Sequence, residues 1–205
     1  MITLIGMGSG TPESLTAQGL AALQNAGLIL GAKRLLEQLP QGCTEHRKAL
    51  YQPEDVLAAL AADPEVDAAL VYSGDTGFYS GAAQLLPMLR AFGISCRVLP
   101  GLSSVQLLAA AVGRSWQEWK LVSAHGCACD PVAECMMNRS VFFLTGGTEN
   151  ARLSVPEADR CRYGRSPRRG GRKPWHRGGS HPLRLCCRAG GAELCTTQRA
   201  SGGKL

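Results

Sequence analysis

Four short segments hold the residue types and spacings that could do chemistry: Gly6-Met7-Gly8-Ser9-Gly10, Gly74-Asp75-Thr76-Gly77-Phe78, Gly101-Leu102-Ser103-Ser104, and a pair of strand ends at His125 and Leu144-Thr145. Gly74-Asp75 is the leading candidate, because glycine lets a ligand approach the backbone and the carboxylate offers an acceptor to hydroxyl or ammonium donors. The same Asp75 could equally cap the helix that follows it. Ser103 and Ser104 could donate to a ligand or serve as helix caps. His125 could bind a carboxylate, although a lone histidine at a strand end serves structure as readily.

These residues need elements to hold them. Strand-like apolar runs fall at 2–5, 28–30, 68–72, 96–99, 120–123 and 141–145, and helical stretches lie near 13–26, 53–62, 80–92, 103–113 and 130–138. Strand and helix in alternation predict an α/β fold with mostly parallel sheets covered on both faces. The run 68–72 stops at the acidic glycine loop, and 96–99 stops at the Gly101 loop, so both open helices at strand ends, where an open α/β sheet binds its ligand. In the first helix Leu15, Gly19, Leu23 and Ala26 recur on one face. Pro53 followed by Glu54 and Asp55 suits a helix start.

The glycine loop at 6–11 fails as a dinucleotide fingerprint: Thr11 stands at the third glycine, and residues 27–32 offer no acid to hold a ribose. Glycine there could also serve a tight strand-to-helix turn alone.

Charge divides the chain. Residues 1–150 hold 9 Lys and Arg against 13 Asp and Glu, whereas residues 151–205 hold 13 against 3. Nine cysteines, odd in number and irregularly spaced, follow no signal peptide, which argues for a reduced cytoplasmic protein. Cys127-Ala128-Cys129 lacks zinc-knuckle spacing and adjacent Cys186-Cys187 is poor chelating geometry, so no metal site is expected. No apolar run approaches the roughly 20 residues needed to cross a bilayer, so no membrane partner is expected.

Together with Leu15-Thr16 and Leu144-Thr145-Gly146-Gly147, the three glycine loops resemble the tetrapyrrole methylase superfamily of S-adenosylmethionine (SAM) enzymes, and within it the corrin-ring C5 methyltransferases of cobalamin biosynthesis. The resemblance covers about residues 1–150. It implies two α/β domains, at 1–115 and from 116 onward, that together hold SAM. Gly74, Asp75, Thr76, Phe78, Ser103, Ser104, Leu144 and Thr145 would then bind SAM, and Gly8, Ser9, Gly10 and His125 the macrocycle. It also implies methylation of C5 of precorrin-6Y or cobalt-precorrin-7, a C15-methylating and decarboxylating partner subunit, and a homodimer. No catalytic residue is named, because the donor is already activated.

Beyond residue 153 the family's Gly-Glu-Asn-Leu-Gly stretch, Ala-Ala-Glu-Leu helix and final apolar strand do not appear. Residues 172–178 nevertheless admit codons that read Glu-Asn-Leu-Gly-Thr-Glu from the second base, and 186–191 and 194–204 admit the other two motifs in the same offset. Three matches in order and in one frame predict a one-base slip near the codons for 152–155. Residues 154–205 would then be an out-of-frame, disordered basic tail, and the second domain, 116–153, would be incomplete. Two rival readings remain: another tetrapyrrole methylase or a relative acting on RNA or diphthamide, and a non-enzymatic protein binding nucleic acid through that tail. The SAM-enzyme reading expects no nucleic-acid partner.

Overall fold

The computed structural model describes residues 1–125 and 128–145, together with the backbone of 183–189 and 192–198. The chain divides into two compact units, Met1–Leu107 and Leu108–Leu205. The sequence expectation set this boundary after residue 115; the observed division lies earlier, inside a helix.

In the first unit β1 (Ile2–Gly6), β2 (Leu28–Gly31), β3 (Arg47–Lys48), β4 (Ala68–Tyr72) and β5 (Cys96–Leu99) form one sheet in the order β3-β2-β4-β1-β5, with every pairing parallel. Helices α1 (Ala17–Asn25), α2 (Lys33–Leu36), α3 (Pro53–Ala62), α4 (Ala82–Ala91) and α5 (Ser104–Val112) connect or follow the strands. The unbroken apolar runs of β1, β2 and β4 are what a sheet buried on both faces demands. Alternate residues feed two cores: Leu4, Leu30 and Leu70 pack with Val56 of α3 and Leu85 and Leu89 of α4. Ile5, Ile29 and Val71 pack with Leu23 of α1 and Leu35 of α2. Each such side chain contributes about 1.5–3 kcal/mol on burial.

Register positions the site. Gly6 lies opposite Tyr72, and Ile5 opposite Leu99, so β1, β4 and β5 end level at the carboxy edge of the sheet. Their three loops leave from adjacent points.

The expected helix at 13–26 is split. Residues Pro12–Ser14 form a single 3-10 turn, Leu15 and Thr16 are extended, and α1 begins only after Thr16, whose hydroxyl caps it by accepting from Gly19 N at 3.0 Å. The buried Ser14 hydroxyl enforces the break: Met7 O at 2.9 Å and Thr11 O at 2.8 Å both lie within its donating reach.

In the second unit β6 (Lys120–Ala124), α6 (Pro131–Met137) and β7 (Ser140–Thr145) make a parallel β-α-β step. Asp130 caps α6 by accepting from Val132 N and Ala133 N. Val122, Cys135, Val141 and Phe143 pack together. Antiparallel strands β8 (Leu183–Ala189) and β9 (Ala192–Gln198) extend the sheet to the order β6-β7-β9-β8. These two strands come from the stretch the codon argument treats as a disordered tail. The signal for them is in the residues as written: Leu183, Leu185, Cys187 and Ala189 alternate with Arg184, Cys186 and Arg188, and Gly190-Gly191 separates the two runs. The rest of 154–205, with Gly146 and Gly147, lies outside the described residues. Among the described residues no helix is long and apolar enough to cross a membrane.

Candidate functional site

The loops after β1, β4 and β5 meet backbone to backbone. Gly8 and Gly74 exchange two hydrogen bonds, Gly8 N to Gly74 O at 3.0 Å and Gly74 N to Gly8 O at 2.8 Å. A Cβ on Gly6 would come within 2.6 Å of Gly101 N, and one on Gly101 within 2.3 Å of Gly74 O. Real Cβ contacts are not that short, so any side chain at either position forces the loops apart. Gly74 differs: its φ of +72° favours glycine, and a Cβ there would meet nothing within 4 Å. Its backbone therefore faces open space.

Two side chains lock the junction. Asp75 Oδ2 accepts from Gly101 N at 3.0 Å and its Oδ1 from Gly77 N at 2.8 Å. Buried Thr76 donates its hydroxyl to Leu99 O at 3.3 Å. Both oxygens of Asp75 are thus engaged by the protein's own amides, and its clearest service is to fix the spacing of the β4 and β5 loops. Phe78, half-buried in the same loop, stacks edge-on against Tyr79 with ring centres 4.8 Å apart.

The two adjacent serines separate. Ser103 is a helix cap: Gln106 N donates to its hydroxyl at 3.4 Å while Gln106 Oε1 accepts from Ser103 N at 2.9 Å, a reciprocal capping box. The Ser-x-x-Gln spacing carried this signal in the sequence. Ser104 opens the first turn of α5, half-exposed.

In the first loop Gly8 and Gly10 take φ of +62° and +94°, and exposed Ser9 donates to Ser14 Oγ at 3.0 Å. Beside this loop stands a residue that sequence reasoning missed. Arg34 of α2 reaches Ser73 Oγ at 3.4 Å, and its Nη1 lies 3.4 Å from where a Cβ on Gly10 would stand. The short helix had too few residues to show a period, so nothing in the pattern placed Arg34 at the sheet's carboxy edge.

In the second unit Ser123 lies opposite Leu144 and Ala124 opposite Thr145, so exposed His125 follows β6 at the edge where β7 ends. Leu144 and Thr145 are half-buried. The first unit holds Gly8, Ser9, Gly10, Gly74, Asp75, Thr76, Phe78, Ser103 and Ser104, and the second holds His125, Leu144 and Thr145.

One titratable group near the junction is clearly perturbed toward alkaline pH. Burial pushes the Tyr72 phenol up to about 12, and its oxygen meets no hydrogen-bond partner among the described residues. It is therefore no proton acceptor near neutrality. Exposed Glu13 has its carboxyl held below the usual range by a backbone hydrogen bond and by Thr11.

An all-parallel sheet whose central loops close into a glycine junction, with open backbone at Gly74, defines a class: an α/β protein that takes a small ligand at the carboxy edge of its strands. Comparison with known proteins fixes the family. The chain belongs to the tetrapyrrole (corrin/porphyrin) methylases, whose family profile matches residues 1–158. These are SAM-dependent C-methyltransferases. Over 146 residues it is 31% identical to cobalt-precorrin-7 C(5)-methyltransferase of Salmonella typhimurium, a match covering 71% of each chain. It is 32% identical over 120 residues to precorrin-4 C(11)-methyltransferase of Mycobacterium tuberculosis, covering 55% of this chain and 48% of that one. The solved precorrin-6Y methylase of Archaeoglobus fulgidus shares the fold with a TM-score of 0.56 at 20% identity, over 72% of this chain and 74% of the other.

Proposed function

We propose that this chain methylates C5 of a corrin-ring precursor, precorrin-6Y or cobalt-precorrin-7, with SAM as donor. The observation that carries the reading is the open, positive-φ backbone of Gly74 inside a rigid glycine junction, in a chain 31% identical to a C5 methyltransferase. A bulky ligand needs that absence of side chain, and the junction supplies it.

When bound, SAM offers an electrophilic methyl on sulfur and a neutral thioether as leaving group. The residues therefore have one main task, to hold donor and acceptor in line, where orientation contributes several kcal/mol. Asp75, Thr76 and Ser103 act by fixing the loops, whereas Gly74, Phe78, Ser104, Leu144 and Thr145 are the donor contacts. Gly8, Ser9, Gly10 and His125 are the macrocycle contacts. The reading includes a homodimer and a C15-methylating partner subunit.

The test is to incubate the full chain with SAM and cobalt-precorrin-7 and to locate a carbon-13 methyl by NMR. Label at C5 supports the reading. A product methylated at C11 from precorrin-4 would instead favour the activity named for the mycobacterial relative. Failure to bind SAM would end both. The same reading takes residues 154–205 as the product of a one-base slip, which peptide mass mapping of the cellular protein across residues 172–198 decides.

A further inference from the structure

We propose that Arg34 receives a peripheral carboxylate of the macrocycle and so sets the rotation of the ring against the methyl donor. This rests on the function proposed above.

The placement carries the argument. Arg34 stands three residues beyond the end of β2, and its guanidinium lies between two loops: it donates to Ser73 Oγ at 3.4 Å, leading into the Gly74 loop, and its Nη1 is 3.4 Å from where a Cβ on Gly10 of the first loop would stand. In the functional reading the first of these is the donor loop and the second the macrocycle loop. Its own neighbourhood leaves the cation without an acid. Lys33 has Glu37 at 4.0 Å and Arg47 has Glu45 at 3.1 Å, but among the described residues no carboxylate pairs with Arg34. Asp75, the acid of the same edge, spends both oxygens on backbone amides. Beside Gly10 the guanidinium has a neutral neighbour, Gln38, whose Oε1 lies 2.8 Å from the same Cβ position, and the hydroxyls of Ser9 and Thr11, 3.2 Å apart, lie in the same loop.

Corrin-ring precursors carry acetate and propionate groups around the rim. A planar guanidinium donates two parallel N–H···O bonds to a carboxylate, which fixes direction as well as position, and a lysine ammonium does not. A rim carboxylate held between the two loops therefore orients the whole ring.

The experiment measures steady-state methylation of cobalt-precorrin-7 by the full chain and by its Arg34→Gln and Arg34→Lys variants, with SAM affinity read separately by calorimetry. Arg34 is exposed, so thermal midpoints should match. The expected result is a KM for the macrocycle raised roughly ten- to hundredfold in Arg34→Gln, the range for losing hydrogen bonds to a charged group. Arg34→Lys should fall between, and SAM affinity should stay unchanged. Added salt should raise KM in the parent and much less in Arg34→Gln. An unchanged macrocycle KM in Arg34→Gln, with the parent active, overturns this inference and leaves the function standing. A parent chain that binds no SAM and methylates nothing overturns the function, and the role of Arg34 with it.

Discussion

The carboxy edges of the two sheets are built by different means. In the first unit the edge is a knot of backbone: three glycine loops in contact, tied by Asp75 to Gly101, by Thr76 to Leu99 and by Ser14 to Met7. In the second unit the candidate residues sit at the ends of two strands held level by the β6–β7 ladder, and His125 is exposed. The first arrangement is specified residue by residue and has no room for an added methyl group at Gly6 or Gly101. The second is specified by strand pairing and by the small core of Val122, Cys135, Val141 and Phe143 behind it. Single substitutions at the edge should therefore disable the first unit and merely trim the second.

The strongest way to break that contrast is Gly101→Ala. Its Cβ would stand 2.3 Å from Gly74 O and 2.6 Å from the Gly6 carbonyl carbon, so backbone rather than a pliable side chain must give way. We expect a loss of about 3 kcal/mol, the upper end for overpacking, and at least tenfold weaker SAM binding. Gly81→Ala is the control: φ there is −60°, a Cβ would sit 3.4 Å from Tyr72 Cε1, and stability should change by less than about 0.5 kcal/mol. Urea unfolding and calorimetry read both. If Gly101→Ala behaves like Gly81→Ala, the junction is looser than its geometry.

Next come two aspartates that accept from backbone amides, of which only Asp130 caps a helix. Asp75→Ala strands the amides of Gly77 and Gly101 and should cost about 2 kcal/mol together with SAM affinity. Asp130→Ala removes an ordinary helix cap in the second unit and should cost about 1 kcal/mol with SAM affinity intact. Equal losses of SAM affinity would erase the contrast. A smaller and sharper division lies within the Gly101 loop. Ser103→Ala breaks the capping box and should cost about 1 kcal/mol, whereas Ser104→Ala should leave stability alone and raise the KM for SAM.

The first unit was legible because its signals are local. Its central strands are largely apolar and the loops between them are marked by glycines, so β1, β2, β4 and β5 and the helices α4 and α5 fall close to where the pattern puts them, whereas the first helix is split and α2 had no signal. What the pattern could not show was which polar atoms the fold uses up. Ser103 and Gln106 show their capping box in their spacing, but only three-dimensional proximity reveals that Gly101 N, 26 residues on, donates to Asp75. Arg34 was invisible for the converse reason: a one-turn helix has no period, and its place beside Gly10 depends on the β2–β4 register. The antiparallel strands β8 and β9 carry a period-2 pattern in their residues, but it lies beside a run of arginines whose charge is the stronger signal.

A substitution expected to stabilise separates packing from ligand chemistry at the end of β4. Tyr72 carries a buried phenol oxygen with no partner, so Tyr72→Phe removes an unsatisfied group and should stabilise the protein by about 1 kcal/mol at neutral pH. Alkaline pH gives an independent check. Burial raises the phenol from 10.0 to about 12, so the unfolded chain ionises first and the folded protein keeps its proton. The stability tied to that difference is fully present below pH 10 and fades as pH rises toward 12. Because the ring is partly exposed, the loss should not exceed about 1 kcal/mol after discounting for solvent screening. Other tyrosines and the lysines titrate in the same window, so the useful quantity is the difference between parent and variant, in which their shared contributions cancel. Urea unfolding at pH 7 and pH 11 should show the advantage of Tyr72→Phe growing with pH while SAM affinity at neutrality stays unchanged. A constant difference would mean that folding leaves the phenol's ionisation unchanged and so does not desolvate it, and a fall in SAM affinity would make Tyr72 part of the ligand site.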